Sequence, residues 1–346
     1  MTTQTETAVN SLFSKTVERE TMKLLRNEHI PAFFAALDKQ YRLLVPVLLC
    51  DGTRSLGAVA DGPLALTGGA LPAKPTSAFF PQHETILGGD CSADDQEKPL
   101  VVAGFTARDL GCLAFIDRFF SDAPVDDIYL RNRRQAVVIG VSGYCGADGT
   151  LLPTADGGCD AELVFDGADW LALDYSEVGK RLIASLPDAG ELQERTLENV
   201  REKGGELSSA DDKLIRHAAA IVQSGAVPDE FWRDIGDRCI ACTGCNLVCP
   251  TCTCFGVQDW RYESGVERSR MWDSCQLEGF MREASGHNPL GSEAQRTRRR
   301  IHHKLAADPL RWGEVSCFVC GRCDATCPTG IGMQAVAKEI VTRYGR

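Results

Sequence analysis

The chain has 346 residues, 44% of them hydrophobic and 25% charged, with 16 cysteines and a formal net charge of −11. That length suits about two domains with ample apolar material, which excludes a small disulfide scaffold. No apolar run approaches the ~20 residues that cross a bilayer, which excludes a membrane span. The polar residues 1–10 lack a basic segment followed by an apolar one, so the chain reads as cytoplasmic. Clustered cysteines in a reducing compartment point to metal before disulfides.

Charge and cysteine divide the chain alike. Residues 1–228 carry a net −12 and five cysteines, whereas residues 229–346 carry +1 and eleven. The first part reads as an acidic α/β assembly domain with a mixed sheet, and the second as a mainly helical, ferredoxin-like domain. An acidic globular half argues against nucleic acid as a partner.

In chain order, residues 11–40 have helical spacing interrupted at Pro31. Residues 42–49 (RLLVPVLL) form an apolar run ended by Asp51 and Gly52, a buried strand and turn. Residues 61–98, rich in Gly, Pro, Ala and Asp, predict strand ends and long connections with little helix. An apolar strand over 100–105 leads into a helix over 106–120 with Leu110, Leu113, Ala114, Ile116 and Phe119 or Phe120 on its inner face. A further strand covers 135–141 and a turn-rich stretch 143–160. Helical segments fill 176–225, among them 191–203 and 210–223. Pro228 and Asp229 mark a boundary and a helix start, with Asp229 capping and Phe231 and Trp232 facing inward.

Just beyond that boundary, Cys239, Cys242, Cys245 and Cys249 precede Pro250 in a C-x2-C-x2-C-x3-C-P run. Cys317, Cys320, Cys323 and Cys327 repeat it before Pro328. This is the run that wraps a 4Fe-4S cube with three thiolates and sends its fourth to the other cluster of a pair. The spacing therefore assigns Cys239, Cys242, Cys245 and Cys327 to one cluster and Cys317, Cys320, Cys323 and Cys249 to the other. Thr243, Gly244 and Gly321 supply the permissive positions of such loops. Zinc, the competing reading, uses separated C-x2-C pairs and leaves this order unexplained.

The insertion between the runs, residues 250–316, is far longer than a compact ferredoxin needs. It holds Cys252, Cys254 and Cys275, read either as ligands of a further metal group or as small buried hydrophobes. It also holds a basic stretch: Arg296, Arg298, Arg299, Arg300, His302, His303 and Lys304. That stretch is a solvated helix face, or it raises cluster potentials or docks an acidic partner. No G-x-G-x-x-G follows a strand and no P-loop is present, so no flavin or nicotinamide site is expected in this chain. The sequence offers no Ser-His-Asp set and no H-E-x-x-H, and no catalytic residue is assigned.

The order of motifs resembles the iron-sulfur subunits typified by the beta subunit of sulfhydrogenase, a nickel-iron hydrogenase, and by the corresponding iron-sulfur subunit of anaerobic sulfite reductase. The resemblance rests on Phe79-Phe80-Pro81-Gln82 with Glu84, on the helix from Arg108-Asp109-Leu110 to Asp117-Arg118-Phe119-Phe120, and on CIACTGCNLVCPTCTCF from Cys239 to Phe255. It continues in Trp272-Asp273-Ser274-Cys275, Gly286-His287-Asn288-Pro289, the Arg-rich segment ending at His303-Lys304, and the run from Cys317 to Pro328. It implies an electron-transfer subunit between a flavin- and NAD(P)-binding reductase subunit and a catalytic subunit of nickel-iron hydrogenase or sulfite reductase type, the former favoured. Members of that family often carry a Cys where this chain has Arg108, and a later C-x-C that is absent here. Cys50, Cys91, Cys112, Cys145 and Cys159 do not restore the pattern and read as structural. The alternative is an iron-sulfur protein that is itself catalytic, near Cys275 or His287, or that senses redox state.

Overall fold

The structure, a computed structural model, describes residues 22–88, 98–134, 136–263 and 265–345. These fall into two compact units, one within Met1–Phe80 and Gln96–Ser208, the other within Pro81–Asp95 and Ser209–Arg346. The acidic and cysteine-rich parts meet at residue 228 in composition; the units divide at residue 208. The reason is packing, since Ile215, Ala218 and Val222 join the core around Phe231, Ile235 and Ile340.

The first unit is an α/β sandwich around a mixed sheet. Its strands β1 (Met22–Leu25), β2 (Arg42–Leu48) and β3 (Arg54–Gly57) precede β4 (His83–Leu87), which belongs to the second unit. After it come β5 (Leu100–Phe105), β6 (Ala136–Gly143), β7 (Ala161–Phe165) and β8 (Trp170–Asp174). The seven strands lie in the order β1-β8-β7-β6-β5-β2-β3. The inner strands β2, β5, β6 and β7 are parallel and the outer pairings antiparallel. Parallel strands covered on both faces read as unbroken apolar runs, and every residue of β5 is buried. The pairing of β5 with β6 shifts between Ala103 and Phe105, a bulge at Gly104, whose φ of 98° requires glycine.

Helices cover the sheet. In α1 (Ile30–Asp38), Pro31 lies in the first turn and so starts the helix rather than interrupting one. Residues 11–21 of the expected helix lie outside the described residues. The helix predicted after β5 is α2 (Ala107–Ser121), capped reciprocally by Thr106 and Asp109. Its buried Asp117 accepts from Tyr129 Oη at 2.6 Å and Arg133 Nε at 3.1 Å, both on α3 (Asp127–Arg134). After α4 (Glu177–Ile183), the two helices expected between 191 and 223 are one, α5 (Glu191–Gln223). Gly204 lies inside it, where a side chain would meet the backbone of Pro153 at 3.0 Å.

In the second unit α6 (Asp229–Arg238) buries Phe231 and Trp232 as expected, but its N-cap is Pro228, and Asp229 is the first helical residue with no capping side chain. The element α7 (Gly244–Leu247) follows. The insertion folds into a hairpin, β9 (Phe255–Tyr262) and β10 (Gly265–Trp272), and β10 pairs on its other side with β4. No sequence signal marks the hairpin, and β4 falls in the stretch that reads as strand ends and long connections. It is held by ladder bonds and by Arg270 Nε donating to Glu84 at 2.6 Å. Next come α8 (Glu293–His302), a π-helical turn at His303–Ala307, α9 (Asp308–Trp312), α10 (Arg322–Thr326) and α11 (Met333–Tyr344). Gly236 of α6 lies so close to Ala294 of α8 that a side chain would come within 2.4 Å of its Cα. That contact fixes α8, which carries the basic stretch. No helix among the described residues is long and apolar enough to cross a membrane.

Candidate metal centre

The two cysteine runs fold into the same loop. The residues just before and after the second cysteine are left-handed in both: Ala241 (φ 52°) and Thr243 (φ 64°), then Val319 (φ 53°) and Gly321 (φ 77°). Only glycine adopts this region freely; for the other three it costs about 1–2 kcal/mol each. Such strain persists where a site demands it, and left-handed residues in a tight loop turn backbone N–H groups towards an anion. The N–H of Ala241 donates to Cys239 Sγ at 3.4 Å, that of Ile331 to Cys327 Sγ at 3.4 Å and that of Met333 to Cys323 Sγ at 3.3 Å.

Each loop then enters a short helix, α7 or α10, that carries the third cysteine of its run. Thr243 and Gly321 serve the turn as the sequence implied, but Gly244 is helical. It is small because a side chain there would meet Thr326 of α10 at 2.9 Å. The fourth cysteines are matched as well. Cys249-Pro250-Thr251 and Cys327-Pro328-Thr329 each set the threonine Oγ1 beside the cysteine sulfur, at 3.4 and 3.5 Å.

One cavity is lined by Cys239, Cys242 and Cys245 of the first run and by Cys327 of the second. Thr297 and Arg300 of α8 also face it. The Thr297 Oγ1 and the Arg300 Nη2 are buried there and have no protein hydrogen-bond partner. In the neighbouring group, Cys317 feels the charge of Cys323 and Cys249, and burial pushes the Cys317 thiol up to about 12. Cys323 is pushed up to about 11 by burial, against the pull of Arg300. Cys320 stands between the left-handed Val319 and Gly321 on the same loop. Among the described residues, no three His, Cys, Asp or Glu side chains converge as they would on a single ion.

The basic stretch splits in two. Arg298 and Arg299 are exposed, while Arg296, Arg300 and Lys304, four residues apart on one helical face, are buried. Arg300 is 3% exposed and Lys304 5%. The Arg300 Nε donates to Asn246 Oδ1 at 3.1 Å, and Lys304 Nζ donates to Thr251 Oγ1 at 2.6 Å. Burial works to discharge both, yet the surrounding sulfurs hold both above their ordinary range: Cys245, Cys323, Cys252 and Cys249 for Arg300, and Cys249, Cys252 and Cys317 for Lys304. Neither has a carboxylate at ion-pair distance among the described residues. A buried cation needs a counter-charge, and thiolate-ligated iron-sulfur cubes carry net negative charge. Orphaned donors, inward-turned N–H groups and buried cations together fit such a group.

Asn246, Thr251, Thr297 and Thr329 do not stand out in the sequence alone. The twice-repeated C-P-T and the four-residue spacing of Arg296, Arg300 and Lys304 are the signals that would have found some of them. Asn246 also donates to Ser274 Oγ at 3.0 Å and Cys275 Sγ at 3.2 Å, so the W-D-S-C stretch braces the first run. His287, by contrast, is exposed in a turn. In the first unit Cys112 and Cys145 are buried and Cys50 is exposed. Burial pushes Cys145 up to about 12 and Cys159 upward too. Cys91 lies outside the described residues.

Residues 238–331 match the family model described as a 4Fe-4S dicluster domain. The chain binds iron-sulfur clusters through this domain. Over 330 residues it is 28% identical to the sulfhydrogenase 2 subunit beta of Pyrococcus furiosus, covering 91% of this chain and 97% of that protein. The chain is a homologue of that hydrogenase subunit. No solved structure matches it.

Proposed function

We propose that the protein is the iron-sulfur electron-transfer subunit of a hydrogenase-type complex in the cytoplasm, and that it holds two 4Fe-4S clusters. Cys239, Cys242, Cys245 and Cys327 would hold one, and Cys317, Cys320, Cys323 and Cys249 the other. When bound, each cluster supplies a one-electron redox step. The chain's own residues do the rest. The loop N–H groups and Thr251 and Thr329 stabilise thiolate sulfur, and Arg300 and Lys304 compensate negative charge.

The observation that carries this reading is the cavity shared by three cysteines of one run and the fourth of the other, with Arg300 and Thr297 facing it. The homology to a beta subunit supports partners: a flavin- and NAD(P)-binding reductase subunit that supplies electrons and a catalytic subunit that uses them. A hydrogenase-type catalytic partner is favoured over a sulfite-reductase type by the same homology.

Metal analysis tests it. Protein purified without oxygen should carry about eight iron and eight sulfide per chain, the content of two cubes. Stoichiometric zinc without iron would overturn the reading.

A further inference from the structure

The hairpin sheet of the second unit runs β4-β10-β9, which leaves β9 at an open edge among the described residues. An open edge is a template for another strand, and proteins blunt it with proline, lysine, bulges, short strands or a covering segment. β9 has none of these devices. It is eight residues long, FGVQDWRY, with no proline and no lysine. Its register with β10 runs unbroken from Phe255 facing Trp272 to Tyr262 facing Gly265, whereas β10 is bulged only against β4. Every residue of β9 except Gly256 is exposed, Trp260 by 50% and Tyr262 by 53%.

The charges along this edge point to what covers it. Asp259 and Arg261 share one face of the strand, one residue to either side of Trp260, which is on the other. Asp259 accepts from Arg268 Nε at 2.6 Å and Nη2 at 2.7 Å across the ladder, yet its side chain stays 52% exposed. Arg261 is exposed and has no ion-pair partner among the described residues. Two copies of β9 placed antiparallel, with Trp260 opposite Trp260, set Asp259 of each against Arg261 of the other, twice by two-fold symmetry. Side chains directly opposite in such a pair lie about 5 Å apart at Cβ, within reach of both ion pairs, and the two indoles meet on the other face. Centring the pair on either neighbour would set Asp259 or Arg261 against its own copy. The charges therefore select Trp260 as the centre.

We propose that β9 is a self-association edge through which two copies of this chain pair antiparallel about Trp260. Asp259 of each copy binds Arg261 of the other, and the two three-stranded sheets become one of six strands.

Sedimentation equilibrium of the full chain, purified without oxygen, tests this. The unaltered chain should approach twice the mass of one chain as its concentration rises. Arg261→Glu puts a carboxylate opposite Asp259, and Asp259→Arg puts a guanidinium opposite Arg261. Each should raise the dissociation constant by about tenfold or more, because two opposite-charge pairs become like-charge pairs. An equimolar mixture of the two variants should dimerise again, since every facing pair between the two different copies is then of opposite charge. Variants that had merely failed to fold could not restore each other in this way. A chain that stays monomeric at every concentration would overturn the proposal and leave the edge to a different protein. A dimer that either variant leaves unchanged, or a mixture that associates no better than its components, would overturn it too.

Discussion

At the scale of single residues, the basic stretch is the instructive case. Its sequence suits a solvated helix face, and Arg298 and Arg299 are exposed in that way. Arg300 and Lys304 are instead buried among sulfurs from both cysteine runs. A fixed positive charge beside a cluster favours the reduced, more negative state, so its removal should lower the potential. Arg300→Gln is expected to cut the reduced-to-oxidised ratio at a fixed potential by about tenfold, about 59 mV for a one-electron couple. Arg300→Lys, which keeps the charge, should recover most of it. Potentiometric titration followed by electron paramagnetic resonance reads both. The cysteines themselves are legible because their spacing repeats. Arg300 stands out in the sequence only as one of a basic run, because which of four neighbouring arginines turns inward depends on how α8 is rotated, and Gly236 against Ala294 sets that.

At the scale of elements, strands with unbroken apolar runs are legible in the sequence and short polar-edged ones are not. β2, β5 and β6 belong to the first kind; β7 and β8 lie in or near turn-rich stretches and are strands because their neighbours are. The hairpin β9–β10 is exposed along much of its length, including Val257, Trp260, Tyr262 and Val266, so no alternation of apolar and polar residues marks it. The helical pattern of α5 is interrupted in the sequence by Gly204 and Gly205, yet the helix runs through both, with Gly204 close against Pro153. The bulge in β5 gives a test at this scale. Gly104→Ala would place a Cβ 2.4 Å from Pro46 Cγ in a left-handed conformation. It should destabilise the first unit by about 2–5 kcal/mol, combining backbone strain with overpacking. Urea denaturation followed by tryptophan fluorescence measures it, Trp170 being buried in the same sheet.

At the scale of the whole molecule, the two units rest on different physics. The first has a core of aliphatic and aromatic side chains, with Phe34, Val101, Ile139, Leu163 and Trp170 among them. The core of the second is interleaved with cluster-run cysteines and with buried cations that need a counter-charge. Extraction of iron by a chelator should therefore loosen the second unit and leave the first intact. Hydrogen exchange measured by mass spectrometry should show the loss of protection in α8, α10 and α11 and unchanged protection in β5 and β6. Uniform loss across the chain would contradict it.

The sequence by itself carried the repeated spacing of the cysteine runs and the α/β character of the acidic part, because cysteine spacing and apolar runs are local properties of the chain. It also carried the resemblance that the homology to a hydrogenase subunit bears out. Tertiary structure decided what depends on distant segments meeting. It drew β4 to the hairpin of the second unit, joined Cys327 to the first run, and turned Arg300 and Lys304 inward.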